Sequence, residues 1–287
     1  MMRRSIRSEL HKALTNKMLY IAIVIGLVFW AMDVMETREK LKVFDESLQW
    51  AVDSGLRVGT GHEGYSLFFL WSGLAPQTKG ANLFYTVWPV LAAMSYGWSY
   101  CDERRSGVYN QIAARTSAKR YYISKYIAVF ISGGLAIAVP VLLGLLANAM
   151  FVPYALVLQG LGVVSNNNFM SELYYTAPWA YGLIWCGVTF LCGGTAACLC
   201  FIVGTKLRYG VMVMLTPYAI FVALDALTNT LRASIFNDVQ IVLSPLRLIN
   251  STPGWANPEW WVLLILAGLT AFSFSIGYWQ VVKHELA

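Results

Sequence analysis

Long apolar stretches separated by short polar ones make up most of the chain. Six of them approach the ~20 apolar residues that a membrane-crossing helix needs: 18–35, 83–101, 126–151, 179–204, 210–228 and 259–282. The pattern predicts an all-α membrane protein with six transmembrane helices. Ahead of the first run, residues 3–14 read RRSIRSELHKAL. On a helix, Ile6, Leu10, Ala13 and Leu14 share one face, and Arg3, Arg4, Arg7 and His11 lie largely off it. That is the pattern of an amphipathic helix lying in a membrane interface. The expected division is an amphipathic helix over 1–17 and a six-helix membrane domain over 18–287.

Two connections are long. Within 36–82, Phe44, Leu48, Ala51, Val52 and Leu56 recur at helical spacing, and Tyr65–Leu70 is strongly apolar beside Trp71. A folded outer cap or a membrane-dipping helix is expected there, since long connections with their own pattern are often structured. Within 229–258, Val239–Ile249 is apolar but broken by Pro245 and Arg247. It is too short to span and suits a re-entrant or surface helix.

Charge placement supplies the orientation. Five Lys and Arg lie in 1–17, six in 102–125, two in 205–209 and one after 282, while seven of the 21 fall in the two long connections. Short basic loops stay on the cytoplasmic side, so both termini are expected inside. Trp30, Trp179, Trp260 and Trp261 would then mark the outer interface, with Trp98 and Trp279 at the inner one. The basic start also has the outline of a secretory signal, but no small-x-small cleavage site follows, which favours a retained first helix.

Composition agrees with lipid as the main solvent. Charged residues make up 13% of the chain, about half of the ~25% usual in soluble domains. The formal net charge of +6 comes from short clusters between apolar runs, not from the continuous basic face that nucleic acid requires. Cys101, Cys186, Cys192, Cys198 and Cys200 contain no C-x-x-C pair, and four lie within one apolar run, where they read as small hydrophobes. His11, His62 and His284 are too scattered for a local metal cluster.

Chemistry inside the spans is sparse. Pro89, Pro140 and Pro217 interrupt spans two, three and five, where they remove a helix hydrogen bond. Gly134/Ala138 and Gly194/Cys198 are small pairs that let helices approach closely. Asp33 and Asp225 fall near outer helix ends, where water would be within reach, and Asn148 is near the outer end of span three. No grouping of catalytic residues is evident, and neither H-E-x-x-H nor G-x-x-x-x-G-K-[ST] occurs. No enzyme is expected, and any ATPase would be another chain.

The loop 101–125 reads CDERRSGVYNQIAARTSAKRYYISK. Glu103 follows span two, Gly107 stands four residues on, and Val108–Ala114 forms a short helical run. Ser117, Lys119 and Arg120 make a basic turn, and Lys125 starts span three. This arrangement resembles the first cytoplasmic loop of type-2 ABC exporter permeases, with Thr116 near the place of a frequent turn proline. The amphipathic lead-in and the six-span layout match the same family. The resemblance implies a bacterial cytoplasmic-membrane permease that pairs with a second permease subunit, either a second copy or a related chain. Each would dock a separate cytoplasmic ATPase subunit that supplies ATP and Mg. Glu103, Arg104, Arg105, Gly107 and Val108 would form the coupling lever. Trp88, Pro89, Met94, Pro217, Phe221 and Asp225, on spans two and five, would line the path of an amphipathic or hydrophobic cargo such as a peptide, antibiotic or lipid. Competing expectations are a membrane scaffold or sensor that uses 36–82 as its interaction segment, and a membrane-embedded enzyme.

Overall fold

A computed structural model describes residues 2–55, 66–74, 76–113, 117–154, 164, 170–204, 206–207, 209–234, 244–249 and 259–283. Among these every regular element is helical: α1 Met2–Leu14, α2 Lys17–Asp53, α3 Leu67–Leu70, α4 Lys79–Tyr96, α5 Ser99–Arg105, α6 Val108–Ala113, α7 Ala118–Ala149, α8 Ser171–Thr176, α9 Pro178–Gly204, α10 Gly210–Ser234, α11 Pro245–Leu248 and α12 Glu259–Lys283. Five of them, α2, α7, α9, α10 and α12, are long and apolar enough to cross a membrane. Large hydrophobics such as Val24, Val28, Leu183, Leu215 and Phe272 point outward, as they do where lipid is the solvent. The chain is a helical multi-pass membrane protein.

The remaining long helix, α4, is walled by four others. It packs against α2, α7, α9 and α10 and buries Phe84, Tyr85, Trp88, Pro89 and Leu91. Its exposed first turn carries Lys79 and Asn82 and its buried faces carry several aromatic rings, which keeps α4 less apolar than the other long helices. Where one apolar run was expected over 83–101, α4 stops at Tyr96 and α5 resumes at Ser99.

The first long helix does not end near residue 35. α2 continues unbroken to Asp53, and 37 residues at a rise of 1.5 Å give a rod of about 55 Å, against a hydrocarbon core of about 30 Å. The helical spacing of Phe44 and Leu48 was therefore a true signal of the same helix carried onward. Within the apolar 65–70 stretch, Leu67–Leu70 forms α3, whose Phe68 packs edge-on against Trp71 and Trp179, so a cap sits over this end of the bundle; Tyr65 lies outside the described residues. Trp30 is not at an interface. It is 2% exposed and meets Phe84 and Tyr85 in the core. In the second long connection, α11 buries Leu248 and Ile249, and Ser244 donates to the Phe221 carbonyl at 3.0 Å. Leu56, and 239–243 of the expected apolar run, lie outside the described residues.

α7 and α9 form the central pair, joined where glycines meet backbone to backbone. A Cβ on Gly193 would stand 2.6 Å from the Gly133 carbonyl oxygen, and one on Gly133 would stand 2.8 Å from that of Gly193. Beside this contact, Phe190 lies over Gly134 and Phe130 over Gly194. On the other flank of α7, the Pro140 ring fills the space left by Gly26 of α2. Gly193→Val forces two backbones apart and is expected to cost about 1–3 kcal/mol. The measurement is the thermal midpoint of the detergent-solubilised protein, with Gly187→Ala, whose Cβ would meet nothing within 4 Å, leaving it unchanged.

Candidate functional site

At the end of the bundle where α1, α5 and α6 gather, Lys125 of α7 is wholly buried. Its ammonium lies 2.5 Å from Glu103 Oε1 of α5 and 4.0 Å from Glu9 Oε2 of α1. The Glu103 contact is an ion pair by distance, without the angles of a directed hydrogen bond. Two tyrosine rings wall the charge, Tyr96 at 5.2 Å and Tyr121 at 5.4 Å, close enough for cation–π attraction. Their hydroxyls close the cluster: Tyr96 donates to Glu9 Oε2 at 3.3 Å, and Tyr121 donates to Glu103 Oε2.

Each member is placed by its helix. Glu9 lies three residues after Ile6 and four before Ala13, so it shares the face of α1 that packs on α7. The Ser5 and Ser124 hydroxyls pair at 3.0 Å, and Asn16 donates to the Ser95 carbonyl at 3.2 Å, fixing both ends of α1 to the bundle. Arg3, Arg4, Arg7 and His11 stay exposed. Lys12 binds the other Glu9 oxygen at 2.6 Å. Burial pulls the Lys12 pKa down, but the Glu9 hydrogen bond and the charges of Glu9 and Glu103 outweigh it and raise the ammonium above its ordinary range. Because the folded value is the higher one, the Lys12 contribution is present at neutral pH and is lost as alkali titrates Lys12.

Beyond α5 the chain turns at Gly107, whose φ of +76° is open to glycine at little strain. Nothing lies within 4 Å of a Cβ there, so backbone conformation rather than space selects the residue. α6 then returns its Tyr109 ring to Tyr100 at 6.0 Å and Tyr121 at 5.5 Å. Arg104, Arg105 and Val108 remain exposed. The coupling set expected from the sequence therefore divides: Glu103 faces inward onto Lys125, while its basic neighbours face out.

The residues expected to line a path are brought together, but in contact. Trp88 and Phe221 are both fully buried, with rings 5.5 Å apart and tilted by 32°. Pro89 and Pro217 are buried, Met94 is half-buried against the same core, and Asp225 is half-buried. The Trp88 indole N–H has no acceptor among the described residues. The seam between α4 and α10 is thus closed in this structure, with one donor unsatisfied.

The chain matches no known protein family and no characterised protein. Among the described residues no cluster of three His, Cys, Asp or Glu could hold a metal ion.

A second polar knot was misjudged from sequence. Asp33 and Asn148 are not within reach of water; they are 0% and 1% exposed. Asp33 accepts from Thr78 Oγ1 at 2.6 Å and from Asn148 Nδ2 at 3.0 Å. Thr78 caps α4 by accepting from Ala81 N at 3.1 Å, and Glu36 accepts from Lys79 N at 2.9 Å. Two carboxylates of α2 therefore face the positive end of the α4 dipole. Glu9 was also missed, although a carboxylate inside an otherwise apolar helix face was its signal.

Removing one partner of a buried pair leaves the other charge unmatched, at a cost of about 3–5 kcal/mol. Lys125→Met is expected to lose that much stability in denaturation of the purified protein. In a Glu9→Gln/Glu103→Gln background the same substitution should cost much less; an equal loss would mean that packing, not charge, is what Lys125 supplies.

Proposed function

We propose that the chain is the permease subunit of an ATP-driven exporter, with six spans and both termini in the cytoplasm, α4 serving as the second span. The observation that carries this reading is the pair of short helices α5 and α6 with the Gly107 turn between them, anchored to the membrane helices through Glu103 and Lys125. A lever of this kind has one rigid attachment and one exposed face. Glu103, Tyr100 and Tyr109 provide the attachment, and Arg104, Arg105 and Val108 provide the face for a separate ATPase subunit that brings ATP and Mg. Glu103 then acts in positioning the lever rather than in docking.

A pull on α5 reaches α4 through the short Gly97–Trp98 break and reaches α10 through the packing of α5 on it. The α4–α10 seam is where a path would open, and the unsatisfied Trp88 N–H favours this, since a buried donor without a partner costs about 1–3 kcal/mol. An aromatic, mostly uncharged seam suits an amphipathic or hydrophobic cargo. Two copies, or this chain and a related one, would enclose it.

A second reading draws on the projecting half of α2. Val43, Trp50 and Val52 are 66%, 66% and 63% exposed there, which favours a scaffold or sensor that binds another protein through that helix.

The two separate in one experiment. The chain is co-purified with any soluble ATPase whose gene adjoins its own, and ATP hydrolysis by the complex is measured. Arg104→Glu/Arg105→Glu is expected to weaken the complex by about tenfold, as reversal of exposed docking charges does, with the thermal midpoint unchanged. Gly107→Pro, which cannot adopt a positive φ, is expected to keep the complex and lose the coupled hydrolysis. Full complex formation and hydrolysis in both variants, or no ATPase partner at all, would reject the exporter and leave the scaffold.

A further inference from the structure

A groove of about 760 Å³ runs along the outside of the bundle between α7, α9 and α12. Its rim toward the α1 end is formed by Tyr126 and Phe274, and it extends along α12 to Leu263. The hydroxyls in its wall are turned back on the protein. Tyr126 donates to the Thr270 carbonyl at 2.9 Å and lies 2.7 Å from the Ser273 hydroxyl, and the Thr195 and Thr270 hydroxyls donate to carbonyls one helical turn earlier in their own helices. What faces the groove is hydrocarbon and ring surface. A peptide or nucleotide would find no partner for its polar groups, whereas an acyl chain needs none.

Length and charge narrow the occupant. The lining of α12 from Leu263 to Phe274 covers about 16 Å at 1.5 Å per residue, close to half of a hydrocarbon core of about 30 Å. That is the depth of one leaflet. Lys119 and Arg120 stand seven residues before Tyr126 and Ile127 on α7 and are exposed. Seven residues are almost two whole turns, so the two cations share the face that lines the groove and lie beyond its rim at the membrane surface. Both have long stems that can bring the charge to a phosphate, and the Arg120 guanidinium can bind it through two donors.

We propose that this groove is a binding site for one anionic phospholipid, with an acyl chain between α7 and α12 and the headgroup phosphate held by Lys119 and Arg120. The site is separate from the α4–α10 seam and does not depend on the exporter reading.

The test uses the full chain in a mild non-ionic detergent, titrated with phosphatidylglycerol or phosphatidylcholine of identical acyl chains, and counts retained lipid by native mass spectrometry. The wild type is expected to retain one phosphatidylglycerol in preference to phosphatidylcholine. Lys119→Gln/Arg120→Gln should weaken phosphatidylglycerol retention by about fivefold per charge removed and abolish the preference. Ala267→Trp fills the groove from its exposed side and should reduce retention of both lipids; Ala271→Trp, one turn further along, is an independent filler if the first does not fold. Equal retention of the two lipids by the wild type would overturn the proposal. So would undiminished retention in a filled variant with a normal thermal midpoint. A filler that changes the oligomeric mass while leaving lipid retention intact would assign the groove to a second copy of the chain and overturn it as well.

Discussion

An ammonium with no exposed surface must find its counter-charge inside the protein, because hydration cannot follow it there. Lys125 meets that requirement by drawing Glu103 from one side and Glu9 from another, between the rings of Tyr96 and Tyr121. Much of the architecture at this end follows. α1 cannot lie only as a surface float, since its Glu9 is needed in the interior, and α5 cannot swing freely, since its Glu103 is needed at the same point. Three segments distant in sequence are tied to a single nitrogen atom. Glu103 balances the buried Lys125 and the more exposed Lys12 balances Glu9, so α5 brings the matching charge and α1 adds a neutral pair beside it.

The opposite end of α4 is held by a different device using the same physics. Asp33 and Glu36 have no lysine buried between them. Thr78, Asn148 and the unpaired N–H groups at the start of α4 serve instead, and the helix dipole supplies the positive potential. α4 is thus fixed to α2 and α7 above, and to α1 and α7 below through the Tyr96–Glu9 contact. Between these knots α4 meets α10 through apolar contacts, among them the Trp88–Phe221 ring pair. Polar pins hold α4 to α1, α2 and α7 but not to α10, which is the physical basis for expecting motion at the α4–α10 seam, since apolar surfaces slide at lower cost than charges separate.

The tight axis of the molecule is α7 with α9. There the glycines let two backbones touch, and close van der Waals contact replaces the hydrophobic drive that lipid does not provide. The same packing shapes the outer groove: α7 and α9 are drawn together, α12 packs on both, and the space along their outer side is left to something apolar.

The sequence by itself determined the helical class, the membrane character and the start of most long helices, because twenty apolar residues in a row have few stable alternatives in lipid. It also determined the short α6 helix with a glycine turn ahead of it, and the apolar face of α1. These are local properties, written in spacing. It could not determine that α2 runs on to Asp53, because polar solvent supports a charged helix as well as a loop there. It could not show that Trp30, Asp33 and Asn148 are interior, nor that Glu103 points at Lys125 instead of outward with Arg104. Depth along a span is legible in one dimension, but the direction a side chain faces depends on which helices surround it. Only the tertiary structure decided those neighbours, through glycine contacts and buried charges that pair residues on different helices.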